Sequence, residues 1–265
     1  MDVKIEIKEI DERRAKLVIE GVHPYLVNAL RRVLLAEVPK LAIDTVTFYD
    51  NTSALFDEMI SHRIGLLPVP TDPSTLNLKG QVDDEGKPTY VVRYTLTKEG
   101  PATVRSGDLE PEDPGFAIAD PKIPIVDLLE GQRLILEAEA VLGQGTEHAK
   151  WQVCHAVGYK YFPTVNVDAK KITADQAKTA VARTPAGILG LEGDKLVILQ
   201  PEEVNRADEA EKICGEAFRI SYDDRKFVFR FETDGSLKAE DALMKALEIL
   251  KERFKGFSAA LDGLE

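Results

Sequence analysis

Residues 22–69 read VHPYLVNALRRVLLAEVPKLAIDTVTFYDNTSALFDEMISHRIGLLPV, the most informative stretch of the chain. Its first part predicts a helix that starts near His23-Pro24, because proline suits the first helical turn, and ends before Pro39. A surface helix needs an apolar stripe of only about 100°. Here the apolar residues cover roughly twice that arc: Leu26, Val27, Ala29, Leu30, Val33, Leu34, Ala36 and Val38.

The small polar face of this helix has the composition of a protein contact. It holds Asn28, Arg31 and Arg32, with Leu35 in their midst. Arginine beside an exposed apolar side chain is enriched at interfaces. The helix therefore predicts one wide buried face and a second face for a partner. The alternative is a helix at the centre of a large fold, in which Leu35 is incidental.

A second helix is predicted near the C-terminus, over residues 237–261, with Ser236 as its N-cap after the turn Asp234-Gly235. Its apolar residues are spaced 4-3-4-3-4, which is a short heptad seam: Leu243, Leu247, Leu250, Phe254, Phe257 and Leu261. This favours a bundle with a partner's helices, and packing onto the chain's own sheet is the alternative. Gly256 inside the helix indicates a bend or a close helix approach.

The remaining patterns predict an α+β fold in which the two chain ends look alike. Each end combines a hairpin with a helix, and the middle is rich in strands and loops, so we expect one domain built from both ends with others inserted. A helix is predicted at 53–63, with Asn51, Thr52 and Ser53 as cap candidates. Extended segments are predicted at 3–7, 15–20, 42–49, 90–98, 123–129, 132–143 and 151–167, a helix at 204–218, and a hairpin of 218–222 with 226–232 around Asp223-Asp224.

Composition excludes several classes of protein. The net charge of −12 over 265 residues argues against a chain that itself grips a phosphate backbone. No apolar run is long enough to span a bilayer, and the charged, alternating N-terminus is not a signal peptide. Two cysteines make no disulfide framework. We therefore expect a cytoplasmic protein.

The residues that carry chemistry do not form a recognisable catalytic set. None of His23, His62, His148 and His155 has metal-ligand spacing with another histidine. Cys154 and His155 are adjacent in a predicted strand, so their side chains point to opposite faces. The acidic run at 83–85 is expected to be solvated, with a cation site as the alternative. The chain alone is therefore not expected to be an enzyme.

Three blocks carry a family resemblance: NALRRVLL at 28–35, VPKLAIDTV at 38–46 and ISHRIGLLPV at 60–69. Together they resemble the alpha-type subunit family of cellular RNA polymerases, and the archaeal D-type members of that family most closely. The eukaryotic third-largest subunit and the bacterial alpha N-terminal domain are more distant members. The resemblance covers the whole chain. It implies a non-catalytic assembly subunit of a DNA-directed RNA polymerase, a nucleotidyltransferase complex active in transcription.

The resemblance also implies a domain organisation. The dimerisation domain would comprise residues 1–41 and 217–265, interrupted by an insert domain at 42–167. A small ferredoxin-like α+β domain would occupy 168–216. The segment 60–67 would brace the junction between the dimerisation and insert domains.

Partners and contact residues follow from the same resemblance. A smaller polymerase subunit, subunit L, would form a heterodimer with this chain, and other small subunits would join. The implied heterodimer interface is Leu26, Leu30, Val33, Leu34, Leu243, Leu247, Leu250, Phe254, Phe257 and Leu261. The second-largest catalytic subunit would meet Asn28, Arg31, Arg32 and Leu35. Little direct contact with nucleic acid and none with membrane is expected.

One departure from the family concerns a cofactor. Many of the archaeal D-type chains hold an iron–sulfur cluster with four cysteines in a ferredoxin-like domain. The matching positions here are Thr184, Val204, Ala207 and Ala210, none of which provides a thiolate. We therefore expect no cofactor and no metal, and a domain stabilised by packing. An unrelated α+β insert is the alternative for this segment, and Cys214 alone cannot hold a cluster.

Two other functions compete with the assembly role. One is an electron-transfer or redox-sensing protein derived from a ferredoxin, which the missing cysteines disfavour. The other is a small-molecule enzyme using Cys154 and His155, which would need a reactive, accessible thiol.

Overall fold

The computed structural model describes residues 3–86 and 88–263. Five α-helices lie at α1 Pro24–Ala36, α2 Asp57–Gly65, α3 Ala174–Arg183, α4 Asp208–Cys214 and α5 Ala239–Asp262. The first six strands are β1 Lys4–Ile10, β2 Arg14–Glu20, β3 Lys40–Asn51, β4 Val91–Glu99, β5 Ala102–Arg105 and β6 Glu110–Pro111. The other six are β7 Pro124–Leu128, β8 Arg133–Gly143, β9 Cys154–Val167, β10 Leu189–Glu192, β11 Lys195–Ile198 and β12 Phe218–Thr233. The predicted α+β class is confirmed.

The strands form two larger and two smaller sheets. One four-stranded sheet has the order β1-β2-β12-β9 and so combines strands from both ends of the chain. The other has the order β3-β8-β4-β6, with β8 antiparallel to both β3 and β4. The pairs β10-β11 and β5-β7 are separate hairpin-like ladders. None of the helices in the described part of the chain is long and apolar enough to cross a membrane.

The core beneath the β3-β8-β4-β6 sheet explains why residues 40–69 fold together. Leu41 and Ile43 of β3 pack with Ile60 and Ile64, which face inward from α2 at helical spacing. Tyr94 of β4 is fully buried in the same core, and its hydroxyl donates to the Phe116 carbonyl at 2.8 Å. The paired hydroxyl makes this polar atom tolerable in an apolar interior.

The chain forms two compact units. One contains residues 3–8, 16–28 and 158–229, and the other contains 9–15, 29–157 and 230–263. In the first unit, α3, α4 and the β10-β11 hairpin enclose an apolar core of their own. The four-part domain division expected from the family resemblance stays a prediction.

Two of the predicted helix starts are wrong. Helix α2 begins at Asp57, four residues after Ser53, because Asn51 and Ser53 hydrogen-bond within the preceding loop. Lys238, not Ser236, occupies the N-cap position of α5, and its side chain makes no capping hydrogen bond. The Ser236 hydroxyl donates to Asp234 at 2.6 Å, while the first helical amide, that of Ala239, donates to the Glu12 carbonyl at 3.0 Å.

The predicted hairpin at 218–232 is also wrong. Residues 218–233 form one continuous strand that includes half-buried Asp223 and exposed Asp224. The Arg225 amide donates to Asp223 Oδ1 at 2.8 Å, and the Arg225 carbonyl accepts from the Gly21 amide at 2.9 Å. A backbone partner distant in sequence thus keeps extended a segment whose local composition favours a turn.

The predicted helix at 204–218 is shorter than expected. A 3₁₀ turn covers Pro201–Arg206, and α4 then runs only from Asp208 to Cys214. Gly215 follows with a φ of 56°, a conformation that ends the helix and that glycine adopts without strain.

Candidate functional site

Helix α5 starts from a turn that is firmly anchored. The Lys40 ammonium, only 2% exposed, pairs with the Asp234 carboxylate. Asp234 Oδ1 also accepts from the Ser236 amide at 2.9 Å. Gly235 has a φ of 95°, and a Cβ there would lie 2.7 Å from the Arg13 guanidinium. The direction in which α5 leaves the fold is thus set by charge, hydrogen bonds and close packing.

The two halves of α5 differ in environment. In the first half, Ala239, Ala242, Ala246 and Leu250 are buried within this chain. Beyond Leu250, every residue of the helix is exposed, including Phe254 at 56% and Phe257 at 66%. Large aromatic side chains exposed in a row are uncommon on a protein that works alone. The second half of α5 is therefore a candidate contact surface.

The predicted heterodimer residues fall into three groups by burial. Leu30, Val33, Leu34 and Leu250 lie in the interior of this chain. Leu26 and Leu243 are half-buried. The exposed members are Leu247, Phe254, Phe257 and Leu261. The exposed part of the predicted heterodimer interface therefore lies on α5 and not on α1.

A salt bridge links the end of α1 to the middle of α5. Arg253 Nη2 lies 2.7 Å from Glu37 Oε2, and Nη1 lies 2.8 Å from Oε1, so the pair is bidentate. Glu37 is largely buried, while Arg253 is exposed. This pair supports α5 where its own core ends.

A groove extends the apolar surface of α5. It has a volume of about 470 Å³ and is lined by Pro73 and Leu76 on one side and by Met244 and Leu247 of α5 on the other. Met244 is exposed and was not in the predicted interface, because it lies off the heptad positions. Leu247 lies three residues after Met244 and therefore on the same side of the helix, which is the sequence signal that would have included Met244.

The predicted large-subunit contact on α1 is only partly accessible. Arg32 is exposed, and Asn28, Arg31 and Leu35 are half-buried. Asn28 and Arg31 also make interactions within the chain. Arg32 is therefore the most available of the four side chains.

Three of the four positions expected to match cluster cysteines, Val204, Ala207 and Ala210, are brought together in a packed interior. Val204, Ala207 and Ala210 lie in one apolar cluster with Cys214 and Phe218. Thr184 is also buried, and its hydroxyl donates to the Ala180 carbonyl at 2.8 Å. Methyl groups and a hydroxyl satisfied by the backbone offer no ligand to iron, so these residues do not fit a cluster.

A cluster of charged and polar side chains lies beside Val204, and the sequence does not predict it. Glu203 lies 2.8 Å from Lys16 and 2.9 Å from Lys160, and Asn205 accepts from Lys160 at 2.6 Å. Burial acts to raise the pKa of Glu203, but hydrogen bonds from Lys16 and Lys160 lower it on balance. No local pattern in the sequence predicts this cluster, because its members come from distant segments.

Cys154 and His155 do not form a catalytic pair. Cys154 is fully buried and His155 is exposed, as their adjacency in a strand predicts. Burial, and then the negative charge of Asp234, raise the pKa of Cys154 to about 12. The thiol is therefore neutral and unreactive near pH 7.

No metal site is apparent in residues 3–86 and 88–263, where no group of three or more His, Cys, Asp or Glu side chains is arranged to hold an ion. In the acidic loop, the Asp83 carboxylate accepts from the Glu85 amide at 2.9 Å, a local turn contact. His148 caps a short turn by accepting from the Lys150 amide.

Comparison with known proteins identifies the family. The family model for the RNA polymerase Rpb3/Rpb11 dimerisation domain matches residues 16–254. The chain is 37% identical over 270 residues to DNA-directed RNA polymerase subunit Rpo3 of Methanosarcina acetivorans, with all of both chains covered. It is 39% identical over 267 residues to Rpo3 of Thermoplasma volcanium, covering 95% of this chain and 97% of that one. For Rpo3 of Pyrococcus furiosus the values are 36% over 264 residues, with 99% and 98% covered.

The chain therefore belongs to the Rpb3/Rpb11 dimerisation family of DNA-directed RNA polymerase subunits. The family resemblance expected from the sequence is confirmed. Members of this family assemble with other polymerase subunits. The redox alternative finds no support in these relatives.

Proposed function

We propose that this chain is a non-catalytic assembly subunit that forms a heterodimer with a smaller polymerase subunit of the L type. The exposed second half of α5 is the observation that carries the proposal. Phe254, Phe257 and Leu261 repeat at heptad spacing on a helix whose inner half is already anchored in the fold. Such a helix buries its apolar stripe when it packs against a partner helix at a shallow angle.

In this proposal the dimer acts as the platform on which the large subunits gather. Arg32, with Leu35, Asn28 and Arg31 around it, contacts the second-largest catalytic subunit. Arginine is suited to such a contact because its planar guanidinium pairs with carboxylates in a fixed geometry. The catalytic residues and any active-site metal belong to other subunits, and this chain makes little direct contact with DNA. It acts in the cytoplasm as part of the polymerase.

The proposal also includes a ferredoxin-like segment that functions without a cluster. Its support is the apolar core formed by Val204, Ala207 and Ala210 together with Cys214. Protein purified without oxygen should contain no stoichiometric iron and show no visible absorption band. Iron at four atoms per chain would contradict this part of the proposal.

Co-expression with the L-type subunit from the same source tests the assembly role. The double variant Phe254→Glu with Phe257→Glu should weaken the complex by roughly a hundredfold or more, because buried aromatic side chains dominate interface energetics. Lys255→Glu is the matched control, since it changes charge at a neighbouring exposed position of the same helix. Equal complex formation by the double variant and the wild-type chain would contradict an interface on α5.

A further inference from the structure

Glu37, the first residue after α1, joins three parts of the fold. Its backbone amide donates to the Val33 carbonyl at 2.9 Å, which continues the helical hydrogen bonding by one residue. Its carbonyl accepts from Gln144 Nε2 at 2.8 Å. Its carboxylate makes the bidentate pair with Arg253 of α5, at 2.7 and 2.8 Å. The end of α1, the loop after β8 and helix α5 therefore meet at one residue.

The loop after β8 fits this end of α1 closely. The Thr146 amide donates to the Ala36 carbonyl at 3.0 Å, so this loop satisfies two carbonyls that a helix end leaves unpaired. A Cβ on Gly145 would lie 2.9 Å from the Leu35 carbonyl oxygen, an approach that the absence of a side chain permits. The loop thus holds Glu37 in a fixed position at the C-terminus of α1.

The Glu37 carboxylate lies where α5 loses its own core. Leu250 is the last buried residue among those described in this helix, and Arg253 lies less than one turn beyond it. The side chain of Glu37 is 15% exposed, whereas that of Arg253 is 62% exposed. Glu37 is therefore the fixed member of the pair, and Arg253 is the member that the pair immobilises.

A bidentate pair fixes direction as well as distance. A guanidinium and a carboxylate joined by two parallel hydrogen bonds have one preferred mutual orientation. Phe254 directly follows Arg253 and Phe257 lies about one turn further, so both depend on the orientation set at Arg253. Side chains that are already held in the bound geometry lose less entropy on association. The pair thus prepares the exposed half of α5 for a partner.

We propose that Glu37 is a positioning residue of the heterodimer interface, which acts through Arg253 to hold the exposed half of α5 against the end of α1. The inference rests on the proposed heterodimer with the L-type subunit. It adds to that heterodimer a residue that does not itself touch the partner.

A double-mutant cycle with Glu37→Gln and Arg253→Met tests how the pair acts. Each single variant should weaken the heterodimer by about fivefold, and the double variant should be no weaker than either single one, because both remove the same contact. If Arg253→Met also weakened the heterodimer in the Glu37→Gln background, Arg253 would contact the partner directly and the proposal would be overturned.

Lys255→Met is the matched control for the cycle. It removes a cation from an exposed position two residues further along the same helix. Affinity should change by less than about twofold, because this side chain is a surface cation away from the pair. A loss as large as that of Arg253→Met would show that any cation on this half of α5 serves equally, which would overturn the role of the pair.

Spin-label distances in the isolated chain supply a readout that a simple loss of stability does not move. Labels are attached to cysteines introduced at exposed Ser258 of α5 and exposed Thr95 of β4, since both native cysteines are buried. The distance distribution should be narrow in the otherwise wild-type chain and with Lys255→Met. It should be distinctly broader with Glu37→Gln and with Arg253→Met. Equal widths in all four proteins would show that the pair does not position the helix.

These outcomes separate the inference from the proposed function. A heterodimer that forms equally well with Glu37→Gln and with the wild-type chain would overturn the positioning role alone. Failure of the wild-type chain to pair with the L-type subunit would overturn the proposed heterodimer, and the inference with it.

Discussion

Lys40 helps to fix the turn from which α5 starts. Its ammonium is buried and pairs with Asp234, which in turn orders the turn before the helix. A buried ion pair adds little net stability compared with an apolar pair, but removal of one partner leaves an uncompensated charge. The Lys40–Asp234 pair therefore fixes the position of the turn before α5 and adds little net stability.

Lys40→Ala should lower the free energy of unfolding by about 3 kcal/mol, because Asp234 would remain partly buried without its counter-charge. Urea denaturation followed by circular dichroism measures the change. Lys212→Ala, which breaks an ion pair between exposed side chains, is the control and should leave stability nearly unchanged. A Lys40 variant as stable as the wild-type chain would mean that Asp234 is satisfied in another way.

Cys154 gives stability a specific pH dependence. Its pKa is about 12 in the folded protein against an ordinary value of 9.0, so the unfolded chain releases this proton first. Between pH 9 and pH 12 the folded state should therefore lose stability, by up to about 1.4 kcal/mol per pH unit from this group. Below pH 9 the thiol is neutral in both states and contributes no slope.

The comparison of wild-type protein with Cys154→Ala over pH 8–11 isolates this effect from other titrating groups. The variant should start less stable, because it leaves a small cavity, and should lose stability more slowly above pH 9. Parallel curves for the two proteins would show that Cys154 does not ionise differently on unfolding.

At the scale of elements, α5 combines two roles along its length. Leu250 packs inside this chain at 9% exposure, while Phe257, seven residues on, is exposed. Both occupy the same heptad stripe in the sequence. A heptad pattern identifies the face of a helix that is buried, but it does not say whether the same chain or a partner buries it.

Leu250→Ala and Phe257→Ala should consequently differ in the isolated chain. Truncation of Leu250 removes core contacts and should cost about 2 kcal/mol of stability. Truncation of Phe257 should change stability by less than about 0.5 kcal/mol but weaken the heterodimer. Thermal denaturation of the chain alone, followed by a binding titration, distinguishes the two effects. Similar destabilisation by both variants would place Phe257 in the chain's own core.

The segment at 168–216 contains an apolar core of its own around α3 and α4. Val204 is fully buried in the cluster around α3 and α4. Val204→Ala should lower stability by about 2 kcal/mol, whereas Leu199→Ala, which shortens an exposed side chain, should not. Denaturant titration measures both variants. A neutral Val204→Ala would indicate that this core contributes little to folding.

The elements that the sequence predicts well are those with strong local patterns. Helix α1 follows its proline boundaries, and β4 and β8 follow their alternation of apolar and polar residues. The predicted element boundaries are wrong where a hydrogen-bond partner distant in sequence determines the local structure. The Glu12 carbonyl shifts the start of α5, and the Gly21 amide keeps Arg225 in a continuous strand.

The candidate site was predicted from sequence only in part. Heptad spacing predicts an interface at exposed Phe254 and Phe257 and equally at Leu250, which is buried in this chain. Spacing alone does not distinguish the two environments. Which face of a strand or helix remains uncovered depends on tertiary packing, which no local pattern encodes.

In the whole molecule, segments that are distant in sequence fold together. Each compact unit draws on three separate stretches of the chain, and one sheet joins strands from both termini. The family match likewise extends over residues 16–254, nearly the full length.

Light scattering after size exclusion, on this chain alone and co-expressed with the L-type subunit, measures whether the exposed half of α5 is a heterodimer interface. We expect a one-to-one complex whose mass is the sum of the two chains, formed by the wild-type protein and lost in the Phe254→Glu, Phe257→Glu variant. A monodisperse monomer that ignores the L-type subunit would contradict it, because α5 would then remain exposed in the working protein.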